Sequence, residues 1–232
     1  MNKKDKVRFI FDYLKKLFPN PQTELNYSTP FQLMVAVILS AQTTDKQVNK
    51  VTEKLFQKIY KPNDVVKYWE LKFTDSIKSI WLYKWKAKNI LALSKIMISK
   101  NYINDFENNK SKLIKNIFKK YWYYVSDQIV ELKKLPWVWE KTAKVIAHVL
   151  YGARVIAVDT HVHRVSNRLW FVKTVAPEQT SKLLEKIIPD TYKGISHHAL
   201  VLFGRYYCLA RKPKCDECEL KKICNYYLKL KY

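Results

Sequence analysis

Four cysteines, Cys208, Cys215, Cys218 and Cys224, fall within 17 residues at the spacing C-x6-C-x2-C-x5-C, and the chain contains no others. Thiolates gathered this tightly repel one another unless a metal neutralises them, so the group points to a metal site rather than to four structural thiols. The donor set alone admits zinc or an iron–sulfur cluster, because both accept four thiolates. Six cations, Arg205, Arg211, Lys212, Lys214, Lys221 and Lys222, surround or interleave the ligands. They can offset the charge of the site or present a basic face to phosphate.

A second stretch that could do chemistry runs from Leu132 to Gly152 and reads L-K-K-L-P-W-V-W-E-K-T-A-K-V-I-A-H-V-L-Y-G. One helix ends near Lys134, Leu135-Pro136 opens a tight turn, and a second helix begins around Glu140 with Ala143, Val145, Ile146 and Val149 facing inward. Lys141 then sits in the first turn of that helix, where the positive end of the dipole and the free backbone N–H groups disfavour a protonated amine. An amine held partly neutral can act as a nucleophile; the alternative is a solvated lysine among 43 basic residues. Asp159 closes the apolar run Ala157-Val158 and directly precedes a helical pattern, so it is either a plain N-cap or a working carboxylate. His161, His163, His197 and His198 lack partner carboxylates at metal-binding spacing and are read as structural or DNA-facing.

Helices must position all of these groups. Val7, Ile10, Phe11, Leu14 and Leu17 form one apolar stripe; Val48, Val51, Leu55, Phe56 and Ile59 form another behind Asp45, an expected N-cap. Further helices are expected near 30–40, 85–98, 111–120, 126–134, 140–151, 160–169, 177–188 and 195–209. Gly152 and the segments around Pro62, Pro136 and Pro177 punctuate them. Alternating strand patterns are scarce, with only Arg154 to Val158 briefly β-like, and no repeat of solenoid period occurs. The expected class is all-α.

Lys and Arg number 43 against 20 Asp and Glu, a formal balance of +23. Such an excess costs self-repulsion and favours polyanionic partners, nucleic acid first, with affinity that falls steeply with salt. A Lys-, Asn-, Ile- and Tyr-rich proteome from an AT-rich genome is the alternative source. The longest apolar run, Phe31 to Ala41 with Gln32 inside it, is too short to span a bilayer, and no export signal opens the chain. A soluble cytoplasmic protein is expected, a setting in which disulfides are rare.

Taken together, these segments resemble the endonuclease III family of DNA glycosylases. The resemblance runs over nearly the whole chain: Thr23-Glu24-Leu25-Asn26-Tyr27, Leu39-Ser40-Ala41-Gln42-Thr43-Thr44-Asp45, Leu82-Tyr83 with Lys86-Ala87-Lys88-Asn89-Ile90, Lys141-Thr142-Ala143, Val158-Asp159-Thr160-His161, and Arg205-Tyr206 leading into the cysteines. It implies a [4Fe–4S] cluster on the four cysteines. It also implies two helical domains flanking a DNA-binding cleft: a six-helix domain with a helix–hairpin–helix over 23–153, and a cluster domain combining 1–22 with 154–232. Lys141 matches the family's nucleophile and Asp159 its essential aspartate, while Gln42 and Leu82 match residues that fill the duplex gap left by a flipped nucleotide. The hairpin residues Leu135, Pro136, Trp137, Val138, Trp139 and Thr142 would grip phosphate without reading sequence, alongside Arg211, Lys212 and Lys214 of the cysteine loop. The implied partner is double-stranded DNA carrying damaged pyrimidines or abasic sites, bound by a monomer. The implied reaction is base removal by Lys141 through a Schiff base, then β-elimination 3′ to the lesion.

The chain departs from the family in two places. The Lys/Asn-rich stretch from about 99 to 120 is longer than usual. The family hairpin reads Leu-Pro-Gly-Val-Gly, whereas Trp137 and Trp139 stand here; Trp81 and Trp170, and with less support Trp69 and Trp122, fit the same exchange. Only 3 glycines occur in 232 residues, where ordinary usage near 7% gives about 16. A genome that reads UGA as glycine, translated with a table that reads it as tryptophan, would produce this pattern; a diverged enzyme with an aromatic hairpin is the alternative. Other readings are an adenine-type glycosylase, a non-catalytic helix–hairpin–helix DNA binder and a zinc-dependent RNA binder. Lys141 and the lack of an added C-terminal domain argue against the first.

Overall fold

The computed structural model describes residues 2–68, 70–99, 102, 115–116, 119–120 and 123–230, with no strand among them. The chain is all-α, and it divides into two compact units, Glu24–Ala153 and Met1–Thr23 with Arg154–Tyr232. Trp69, Trp122 and most of the 99–120 stretch, with most of the helix expected over 111–120, lie outside the described residues; 115–116 and 119–120 are helical.

The unit Glu24–Ala153 is built around α2 (Pro30–Leu39), whose ten residues are all buried. A helix apolar on every side belongs in the middle of a core. It packs against α3 (Asp45–Leu55), α6 (Tyr83–Met97) and α8 (Glu140–Tyr151). Pro30 at the first helical position and the Thr29 hydroxyl, which accepts the Gln32 N–H at 3.1 Å, fix where it starts. Gln32 is buried yet satisfied: its amide nitrogen donates to the Phe56 and Ile59 carbonyls at 3.0 and 2.8 Å, and its oxygen accepts from Ser28 N at 2.7 Å. Thr44 rather than Asp45 caps α3, accepting from Gln47 N, and Asp45 takes the first turn, where its charge suits the dipole.

Two helices missed by periodicity, α4 (Pro62–Lys67) and α5 (Glu70–Ser76), fill the segment after Ile59. Pro62 is the first residue of α4 rather than a break, because proline's missing N–H costs nothing at that position. The helix expected over 126–134 shrinks to the single turn α7 (Ile129–Leu132), since the residues after it form the hairpin.

In the second unit α1 (Lys3–Leu17) lays Val7, Ile10, Phe11 and Leu14 into a core with α9 (Thr160–Arg168), α10 (Pro177–Ile187) and α11 (Asp190–Tyr206). Phe11 stacks on Phe171 and Tyr192 at centroid separations of 5.9 and 5.0 Å. The helix expected from 195 begins at Asp190, just after Pro189. Gly204 lets α9 and α11 approach closely: a Cβ there would lie 2.9 Å from His161 Cβ. A 3-10 turn (Glu219–Ile223) and α12 (Asn225–Leu230) complete the unit, and Arg154 to Val158 is coil. No described helix is long and apolar enough to cross a membrane.

Candidate active site and metal centre

The turn between α7 and α8 is closed by Val138 N–H donating to the Leu135 carbonyl at 3.1 Å. Proline occupies the second place and Trp137 the third, with φ of +63°. That is the pattern of a type II turn, whose third residue is normally glycine because a Cβ strains at positive φ. Leu135 and Val138 are buried and anchor the turn, while Trp139 is 68% exposed. Trp139 occupies the N-cap of α8 in extended conformation and offers no side-chain acceptor, unlike Thr29 or Thr44. Lys141 and Thr142 follow in the first turn, both half-buried.

Glu140, which sequence patterning did not single out, braces this motif. Its carboxylate takes Lys133 Nζ at 2.7 Å from before the turn and Lys144 Nζ at 3.4 Å from the next turn of α8. The hydrogen bond from Lys133 is the main reason its carboxyl is held below the usual range.

Asp159 is the N-cap of α9: one carboxylate oxygen accepts Val162 N–H at 2.8 Å. Capping fixes the direction of the carboxylate. Asp159 and Lys141 belong to different units. Of the histidines, His163 bonds Thr180 at 2.7 Å, and His197, buried beside His198, bonds the Ala157 carbonyl at 2.8 Å. Both are structural.

The same helix that Asp159 starts also carries the support of the cysteine loop. Arg164 donates from Nη2 to the Gly204 and Cys208 carbonyls at 2.8 and 3.1 Å. Arg168 reaches the Leu209 and Ala210 carbonyls at 2.7 and 3.0 Å, lies 3.4 Å from Cys208 Sγ, and stacks on Tyr226 at 4.0 Å. Neither arginine was singled out from sequence, because each is 40 or more residues from its partners. Cys208, Cys215, Cys218 and Cys224 line one cavity with Leu169, Phe203 and Tyr227.

The donors fit an iron–sulfur cluster. Four thiols face one space walled largely by apolar and aromatic side chains with Lys214 and Lys221, where only a bound cation makes four thiolates tolerable. Burial, with the neighbouring thiolates adding to it, pushes the Cys218 thiol up to about 11, so loading the site must release protons. Arg211, Lys212 and Lys214 are exposed on the loop between the first two cysteines, and Lys212 has φ of +49°.

Gln42 and Leu82, 40 residues apart, line one surface pocket. Both are exposed, and both are left-handed, with φ of +55° and +56°. Beneath them Lys86 is only 1% exposed, and its ammonium donates to the Leu39 and Ala41 carbonyls at 2.8 and 2.6 Å. Burial pulls that ammonium down to about 8. Trp81 and Trp85 flank the pocket, 62% and 60% exposed, and Trp170 follows α9 at φ of +68°.

A hairpin entering a helix at a lysine, an aspartate-capped helix and a four-thiol loop define a two-unit helical protein of the DNA-repair type. Residues 35–190 match the model of the HhH-GPD superfamily base excision DNA repair proteins, and residues 208–224 match that of the iron–sulfur binding domain of endonuclease III. The chain is 44% identical to endonuclease III of Rickettsia conorii over 225 residues, covering 97% of this chain and 98% of the relative. Among solved structures, a trapped endonuclease III–DNA covalent intermediate matches with a TM-score of 0.83 and 38% identity, covering all of both chains. A non-covalent endonuclease III–DNA complex matches equally well, at 0.83 and 38%, covering 100% of this chain and 99% of that one. The chain therefore belongs to the HhH-GPD superfamily of base excision DNA repair proteins, in its endonuclease III family, and its cofactor is a [4Fe–4S] cluster.

Proposed function

We propose that this base-excision glycosylase and lyase removes oxidised pyrimidines from duplex DNA, with Lys141 as nucleophile and Asp159 as the supporting carboxylate. The observation that carries the reading is Lys141 in the first turn of α8, directly after a phosphate-type hairpin, in a chain of this family. An oxidised pyrimidine is unstacked cheaply because damage has already weakened its stacking and pairing. The Lys141 amine attacks C1′ of the extruded nucleotide, and the base departs with the glycosidic electron pair and takes up a proton. Asp159, aimed by its cap, stabilises positive charge on the sugar and assists proton transfer. The amine, having lost a proton, then expels O4′, which takes up a proton as the C1′–O4′ bond breaks and the sugar opens to an iminium. The iminium acidifies C2′–H, and loss of that proton expels the 3′ phosphate and cuts the strand. The trapped covalent DNA intermediate of its relative supports a covalent route here.

Gln42 and Leu82 enter the gap left by the nucleotide, and the hairpin from Leu135 to Thr142 holds the backbone, with Arg211, Lys212 and Lys214 gripping a flanking phosphate. Bound by its four thiolates, the cluster supplies a cross-link that shapes this basic loop. The protein works as a monomer in the bacterial cytoplasm, on the nucleoid, within a helical domain over 23–153 and a cluster domain of 1–22 with 154–232. Borohydride trapping on duplex DNA with one abasic site tests the reading. Wild type forms a covalent adduct and Lys141→Gln does not; excision of adenine without any adduct would instead favour the adenine-type alternative.

A further inference from the structure

We propose that Lys86 is the positioning residue that sets Gln42 against Leu82, so that the two act as one wedge. The inference rests on reading Gln42 and Leu82 as gap-filling residues. Lys86 holds both sides of the pair. Its backbone N–H donates to the Leu82 carbonyl at 3.0 Å, closing the first turn of α6 on a left-handed residue. Its side chain reaches the other loop, bonding Leu39 and Ala41, the latter adjacent to Gln42, with Thr43 Oγ1 at 3.5 Å. The last carbonyls of a helix have no partner within it. At the end of α2 the Ala36, Val37 and Ile38 carbonyls accept from Ser40 N–H, Ser40 Oγ and Ala41 N–H, which leaves the carbonyl of the final residue, Leu39, for a donor from elsewhere. Lys86 supplies that donor from α6 and places a positive charge at the negative end of the α2 dipole. The carbonyl that precedes Gln42 and the carbonyl of Leu82, two exposed left-handed residues, are thereby both held by Lys86, one by Nζ and one by its backbone N–H.

The test compares Lys86→Met, which keeps length and loses donors, with Lys86→Arg, which keeps charge and donors, alongside Gln42→Ala and Leu82→Ala. Affinity is measured on duplexes with and without a tetrahydrofuran abasic analogue, and borohydride trapping on duplex against single-stranded abasic DNA. A displacement of about 1 Å at such a site can cost on the order of 100-fold, so Lys86→Met is expected to lower the preference for abasic over intact duplex about tenfold. Trapping should fall more on duplex than on single strand, and Lys86→Arg should recover part of the preference. Wild-type preference in a folded Lys86→Met protein overturns the proposal, while loss in Gln42→Ala and Leu82→Ala leaves the wedge reading standing. No loss in those two alanine variants overturns the wedge reading itself. Should Lys86→Met not fold, Lys86→Gln takes its place with the same expected and contrary outcomes.

A different observation carries a second proposal: Trp137 and Trp170 are glycine in the protein its own organism makes. Trp137 is the third residue of a type II turn, and Trp170 is the residue after the C-cap of α9, where Phe171 N–H returns to the Ser166 carbonyl at 3.0 Å. Both are places where backbone geometry selects glycine. Trp170 is also 56% exposed, so the indole gains little burial to offset the strain. The codons at 137 and 170, with peptide masses of the protein from its source cell, decide it. UGA codons with glycine masses are expected; UGG codons, or tryptophan masses, overturn it.

Discussion

Helices α8 and α9 end on nearly the same backbone. Gly152 closes the first at φ of +67°, and Trp170 follows the second at +68°. A Cβ on Gly152 would meet nothing within 4 Å, so neighbours do not require glycine there; the left-handed backbone does. The same demand at the end of α9 is met by the largest side chain there is. Positive φ alone does not identify a displaced glycine, since Gln42, Leu82 and Lys212 share it. What separates the cases is compensation: the carbonyl before Gln42 is held by the buried Lys86 ammonium and the Leu82 carbonyl by the Lys86 N–H, whereas Trp137 and Trp170 sit at a turn and a helix end that ordinarily take glycine for backbone reasons alone.

Substitutions at five positions can break or sharpen that contrast. The largest effect is expected in the hairpin, where Trp137→Gly with Trp139→Gly should clear the approach of phosphate to backbone N–H groups. Recovering roughly two charge-assisted hydrogen bonds corresponds to duplex affinity tighter by on the order of 100-fold. Equal affinity for parent and double variant, from titrations at one salt concentration, would mean the indoles do not obstruct the hairpin.

Gly152→Trp turns the first helix end into a copy of the second and should cost about 1–2 kcal/mol in urea unfolding, from strain alone. Trp170→Gly should return about 1 kcal/mol, and Trp170→Ala less, because alanine keeps the Cβ. An alanine gain as large as glycine's would assign the penalty to indole bulk instead.

A smaller effect concerns Lys86. Its folded-state value of about 8 lies below the ordinary 10.5, so between those pH values the unfolded chain binds the extra proton. Stability from this group therefore rises with pH across that window, and below about 8 the burial cost is present in full. Melting curves of wild type minus Lys86→Met should climb by a few degrees from pH 8 to about 10.5. A flat difference contradicts the burial of the ammonium.

Much of this was legible along the chain, because the relevant physics is local. The cysteine spacing alone called for a metal, the Leu-Pro turn before Glu140 announced the hairpin, and Asp159 fell at a helix start whose carboxylate caps Val162 N–H. The 3.6-residue periodicity was enough for α1, α8, α9 and α10, and α2 stood out as the longest apolar run. Helices α4 and α5 escaped because six- and seven-residue helices barely complete a periodic stripe, and Pro62 read as a break when it was a beginning.

Sequence by itself determined the class of fold and the four-thiolate donor set and named the candidate reacting groups, since residue type and short spacing carry those. Only the folded chain decided that the Lys86 ammonium would reach the end of α2, that Arg164 and Arg168 would brace the cysteine loop from the helix begun at Asp159, and that Gln42 and Leu82 would line one pocket. Those choices depend on which buried carbonyls lack a partner after α2, α9 and α11 have packed. No count of residues along a chain reports where an orphaned carbonyl will end up.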